Sequence, residues 1–92
     1  MKVKVYATLQ TLVGSPEVDV NAGPGDTVAK ALNELVSRYP SLKPRLFDQD
    51  GRLLDRIHVF LDGRDVRYLD GLDTIIGEEQ EIRIFPPVGG GA

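Results

Sequence analysis

The residues best placed to carry chemistry lie at the end of the chain. After Phe85 the sequence reads Pro86-Pro87-Val88-Gly89-Gly90-Gly91-Ala92. Two prolines favour an extended exit from whatever precedes them. Three glycines then remove every Cβ, and glycine accepts backbone angles that other residues avoid. At ~3.3 Å per residue, seven residues span about 23 Å. No charged side chain falls between Phe85 and the terminal carboxylate. Such a segment can thread a narrow channel and present a carboxylate far from the body that carries it. An inert terminus has the same look, and on its own the run leaves the two readings even.

The rest of the chain offers few other routes to chemistry. Cysteine is absent, which removes disulfides, thiol nucleophiles and zinc-thiolate sites. His58 is the sole histidine, so a second imidazole cannot join it on a transition metal. Gly23-Pro24-Gly25 lacks the Gly-Lys-Ser/Thr close of a phosphate loop. Asp48, Asp50 and Gly51 suggest a calcium loop, but Leu53 and Leu54 follow and no Glu stands at the needed offset. Asp62, Asp65, Asp70 and Asp73 are spaced as turn residues, and Glu78, Glu79 and Glu81 form an acidic corner. The net charge of -3 argues against nucleic acid as the main partner. No apolar run is long enough to span a bilayer, and the first residues alternate rather than forming a leader-like apolar stretch. The expectation is a cytoplasmic protein with no metal.

These residues must be positioned by a small body. Ninety-two residues make one domain. Over residues 2–9, Val3, Val5, Ala7 and Leu9 alternate with Lys2, Lys4, Tyr6 and Thr8, which predicts a strand. Gly14-Ser15-Pro16 turns the chain into a second strand over 17–20. Asn21 to Gly25 breaks it. Thr27 is placed to cap a helix. Val28, Leu32, Leu35, Val36 and Tyr39 form one helical stripe that Pro40 ends. Residues 41–55 read as irregular. Strands follow over 56–61, 64–68 and 81–85, with Asp62-Gly63 as a tight turn. The order β-β-α-β-β-β, with one amphipathic helix, predicts an α+β roll in which the helix crosses one face of the sheet.

The same alternation sorts the strand residues. Val3, Val5, Ile57, Val59, Leu61, Ile82 and Ile84 face the helix. Lys2, Lys4, Tyr6, His58, Phe60, Arg83 and Phe85 face the other way. The open face therefore gathers three aromatics in a basic surround, with Phe85 at the root of the tail. Tyr, Phe and Arg supply most of the anchoring at protein interfaces. The alternative is that segment 41–55 covers them.

This five-strand, one-helix pattern, carried into Phe85-Pro86-Pro87-Val88-Gly89-Gly90-Gly91, resembles the MoaD/ThiS family of β-grasp, ubiquitin-like sulfur carriers. The Gly25-Asp26-Thr27 helix start and Leu61 to Arg67 support the likeness, which spans essentially the whole chain. It implies a β-grasp domain over 1–85 and a flexible tail over 86–92. It implies that the reactive group is a C-terminal glycine carboxylate, Gly91 preceded by Gly90, which an activating enzyme adenylates with ATP. Sulfur then converts the adenylate to a thiocarboxylate, and a second, sulfur-accepting synthase receives it. The carrier would bind no cofactor itself, catalyse nothing, and dock through Tyr6, Phe60, Arg83, Phe85, Pro86, Pro87, Val88 and Gly89. Molybdopterin and cysteine synthesis, and tRNA or thiamin thiolation, are the routes such carriers serve.

Ala92 departs from the family pattern, which ends in Gly-Gly. Removal of Ala92 by a protease would expose Gly91; an added terminal residue is the plain alternative. Two other functions fit the same body. One is a ubiquitin-like modifier joined to lysines, which begins with the same adenylate. The other is a β-grasp interaction domain with an inert tail.

Overall fold

The computed structural model describes residues 1–87. Five strands form one sheet in the order β2-β1-β5-β3-β4. They are β1 (Lys2–Val5), β2 (Glu17–Asp19), β3 (His58–Leu61), β4 (Arg64–Asp65) and β5 (Ile82–Phe85). The sheet is mixed. β1 and β5 run parallel, with Val3 opposite Ile82 and Val5 opposite Ile84. The pairs β1–β2, β3–β4 and β3–β5 are antiparallel. The long helix α2 (Val28–Arg38) packs Val28, Ala31, Leu32 and Leu35 into the core. Its start is capped as expected: the Lys30 N–H donates to Thr27 Oγ1 at 3.2 Å. All seven residues predicted to face the helix are buried.

The first predicted strand is half helix. The chain leaves β1 at Val5, and Ala7–Val13 form α1, which ends on Gly14 at φ 82°. Leu9, Leu12 and Val13 have helical spacing, and all three join the core, Leu9 fully and the others in part. Alternation through Ala7 and Leu9 imitated a strand, but the turn occurs at Ala7, whose φ is +52°. The fourth strand is also shorter than predicted. It holds two residues, and Val66–Tyr68 coil into a 3-10 turn that buries Val66.

Segment 41–55 is more regular than its sequence suggested. A 3-10 turn over Pro40–Leu42 leads into the single-turn helix α3 (Lys43–Leu46). Leu42, Leu46 and Phe47 join the main core. Arg67 ties down the end of this segment: its guanidinium donates to the Ile57 carbonyl at 2.6 Å and the Leu54 carbonyl at 2.7 Å. Asp62 and Gly63 both have positive φ, 51° and 87°, the geometry that lets a two-residue turn follow sheet twist.

Candidate functional site

The end of β5 organises the surface opposite the core. Phe85 is the last residue of the central strand, with β1 on one side and β3 on the other. Tyr6 leaves β1 in an extended conformation, and its ring stacks on Phe85 at 4.3 Å and 9°. Phe60, on β3, meets Phe85 edge-on at 5.4 Å and 87°. Such geometries suit ring quadrupoles and add to what burial alone contributes. The three aromatics predicted to share a face are therefore one cluster with Phe85 at its centre. Each remains partly exposed. The segment that could have covered them packs its buried side chains, Leu42, Leu46 and Phe47, into the core.

A shallow depression of about 530 Å³ lies beside this cluster, lined by His58, Phe60, Gly63, Arg83, Phe85, Pro86 and Pro87. Tyr6 is outside its lining. Pro86 is buried and Pro87 exposed. Pro86 thus belongs to the body, and Pro87 is the first exposed residue after β5. Pro87 also borders a second hollow with Pro44, Arg45, Leu54, Asp55, Arg56 and Ile57. Neither Arg45 nor Arg56 stands out as a site residue in the sequence: Arg45 lies in the irregular segment 41–55 and Arg56 opens the predicted strand over 56–61, and their only signal is a density of cations between Lys43 and Arg56. Val88, Gly89, Gly90, Gly91 and Ala92 lie outside the described residues.

The basic surround is partly neutralised. Arg83 donates to Glu81 Oε1 from Nη2 at 2.9 Å and from Nε at 3.3 Å. Lys4 Nζ stands 3.3 Å from the same oxygen. The Arg83 hydrogen bond, aided by Lys4 and opposed by partial burial, holds the Glu81 carboxyl below its ordinary value. Glu81 in turn raises the Arg83 guanidinium above its own. His58 Nδ1 lies 3.3 Å from Asp65 Oδ2 across β3–β4. No cluster of metal-ligating side chains occurs among the described residues, and none of their helices is long and apolar enough to cross a membrane.

Comparison with known proteins places this geometry. The chain is 38% identical to small archaeal modifier protein 1 of Haloferax volcanii, over 99% of this chain and 100% of that one. The crystal structure of that protein superposes with a TM-score of 0.86 at 36% identity, covering 99% and 98% of the two chains. The sulfur carrier protein CysO of Mycobacterium tuberculosis is 32% identical over 73% of this chain and 74% of its own. A chain of the Amycolatopsis orientalis BexX/CysO complex superposes on this protein with a TM-score of 0.82 at 27% identity, over 98% of each chain. These relatives are small carrier and modifier proteins, and the fold is the β-grasp of ubiquitin-like proteins. The ThiS family model matches residues 3–91, and the chain belongs to that family.

Proposed function

We propose that this protein is a sulfur carrier whose working group is the carboxyl carbon of Gly91, exposed by removal of Ala92. The observation that carries the reading is the place of Phe85. It is both the hub of an exposed aromatic cluster and the last residue of the strand from which the glycine run continues. A partner that docks on Tyr6, Phe60, Phe85 and Arg83 therefore sits beside Pro87, the last described residue before the glycine run.

The chemistry follows from the electrophile. A carboxylate is a poor acyl donor. In the active site of a partner enzyme, the Gly91 carboxylate attacks the α-phosphorus of ATP, and pyrophosphate leaves. A sulfide-level nucleophile then attacks the acyl carbon, AMP leaves, and the terminus becomes a thiocarboxylate. The sulfur is delivered when that thiocarboxylate attacks a carbon electrophile in an accepting synthase, and the new C–S bond forms as a leaving group departs from that carbon with its bonding pair. Hydrolysis of the resulting acyl–sulfur bond returns the carboxylate. The carrier contributes position, which raises the effective concentration of sulfur over that of free sulfide. ATP belongs to the activating partner, and the carrier is the substrate. Molybdopterin or cysteine synthesis is the receiving route.

A second reading rests on the 38% identity to a protein named as a modifier. In it, a lysine amine attacks the same acyl-adenylate and forms an isopeptide bond. One experiment addresses both. The chain ending at Gly91, and the chain ending at Ala92, are incubated with adenylating enzymes of its own cell, ATP and sulfide. Intact mass then shows either a single oxygen-for-sulfur exchange, which the carrier reading expects for the Gly91 form, or none. High-mass adducts in cells that disappear on deleting Gly90 and Gly91 identify the modifier. Unaltered function after truncation following Val88 overturns both and leaves a binding domain with an inert tail.

A further inference from the structure

The large apolar side chains most exposed to solvent are not on the aromatic face. Among the described residues there are three: Tyr68 at 89% exposure, Ile75 at 59% and Leu69 at 36%. All three fall in one eight-residue stretch. Leu69 and Ile75 line a common hollow of about 500 Å³ with Leu61, Asp62, Arg64, Thr74 and Gln80. Single exposed apolar residues are ordinary, but a group around one hollow marks an interaction surface.

Register places this hollow away from the tail. Leu61 pairs with Ile82, the first residue of β5, whereas His58 pairs with Phe85, the last. The hollow therefore lies at the end of β3–β5 opposite the exit of the tail. It is also tied to the start of α2. Ile75 bridges to Thr27 at the start of α2, the Val28 N–H donates to the Thr74 carbonyl at 3.0 Å, and Thr74 Oγ1 donates to the Gly71 carbonyl at 2.7 Å.

Charge indicates what would cover it. From Leu61 to Gln80 the chain carries six carboxylates against two arginines, a net of -4, while the whole chain is only -3. One of the arginines, Arg67, is committed to the Ile57 and Leu54 carbonyls. Within the hollow Asp62 is matched by Arg64, so the excess negative charge lies on the flanking Asp70, Asp73, Glu78 and Glu79, which are all exposed. We propose that this tail-distal end is a second docking surface, for a partner segment that sets one aliphatic side chain between Leu69 and Ile75 and flanks it with lysines or arginines. Occupation of this surface leaves the aromatic face and the tail free, so a second protein can hold the carrier while its terminus is at work.

The test is an NMR titration of the full-length protein with three synthetic peptides: one of alternating leucine and lysine, one of serine and lysine, and one of leucine and glutamate. The leucine–lysine peptide is expected to shift the amides of Leu69, Thr74, Ile75 and Gln80, and not those of Phe60 or Phe85. The other two peptides are expected to bind at least about tenfold more weakly, the loss expected for withholding one aliphatic side chain or the complementary charge. Ile75→Asp should lower affinity for the leucine–lysine peptide by a similar factor. Because Ile75 is mostly exposed, the Val5 and Ile84 amides in this variant, both in the core of the sheet, should keep their positions. Equal binding of the serine–lysine peptide, shifts centred on the aromatic face, or no saturable shifts would each overturn the proposal.

Discussion

Phe85 is touched by two rings, one on its face and one on its edge, so its replacement has two separable effects. Phe85→Asp puts a charge into the stack and removes the centre of the docking surface. The affinity for an activating enzyme should fall by tenfold or more, as at an interface hot spot worth about 2 kcal/mol. Titration calorimetry reads this directly, and Phe60→Ala, which leaves the Tyr6 stack in place, should give a smaller loss in the same assay. Glu81 sets the pH behaviour of this face. Its carboxyl ionises more readily in the folded protein than in the unfolded chain, so its contribution to stability is complete above the ordinary carboxylate value of about 4.3. That contribution disappears as pH falls through the lowered folded value. The Lys4–Glu81–Arg83 arrangement should therefore be constant between neutral pH and about pH 5 and break only in stronger acid. Carbon-detected NMR of the Glu81 carboxyl checks this, and a titration at or above the model-peptide value would contradict it. In the sequence Glu81 reads as part of an acidic turn: Arg83 is only two residues on, but Lys4 is distant along the chain and is brought near by the parallel β1–β5 pairing.

Among the elements, α2 could be read in advance and α1 could not, for physical reasons. The stripe from Val28 to Tyr39 repeats over three turns, long enough that no strand pattern competes. In α1 the helical spacing of Leu9, Leu12 and Val13 is preceded by a true two-residue alternation in Val3 and Val5. A short apolar run cannot choose between the periods. The choice is made by tertiary packing, which buries Leu9 under the turn at Ala7. β4 shortened for a related reason: Val66 reaches the core by coiling inward rather than by continuing the edge. By contrast, β3 and β5 kept their predicted phase, and with it the whole aromatic face was legible from residue order alone. The helix α2 also gives graded stability predictions. Thr27→Ala removes the acceptor for the Lys30 N–H and should cost about 1 kcal/mol. Leu32→Ala empties a fully buried site and should cost about 2–5 kcal/mol. Urea unfolding curves with unchanged slope distinguish the two.

In the whole molecule, body and tail are expected to be energetically independent. Every core side chain among the described residues lies at or before Ile84, and the last buried residue is Pro86. Truncation after Pro87 should leave the thermal midpoint unchanged while abolishing any chemistry at the terminus; a clear drop in the midpoint would mean that the removed residues help hold the fold. The sheet order has one more consequence, which is mechanical. The chain begins on β1 and leaves from β5, and these strands run parallel side by side. Tension applied between the amino terminus and the tail therefore loads their shared hydrogen bonds lengthwise, all at once, instead of peeling them apart one by one. β5 is also gripped by β3 on its other edge. A carrier pulled by its terminus, whether by an unfolding machine or by an enzyme closing on the glycines, resists along its strongest direction.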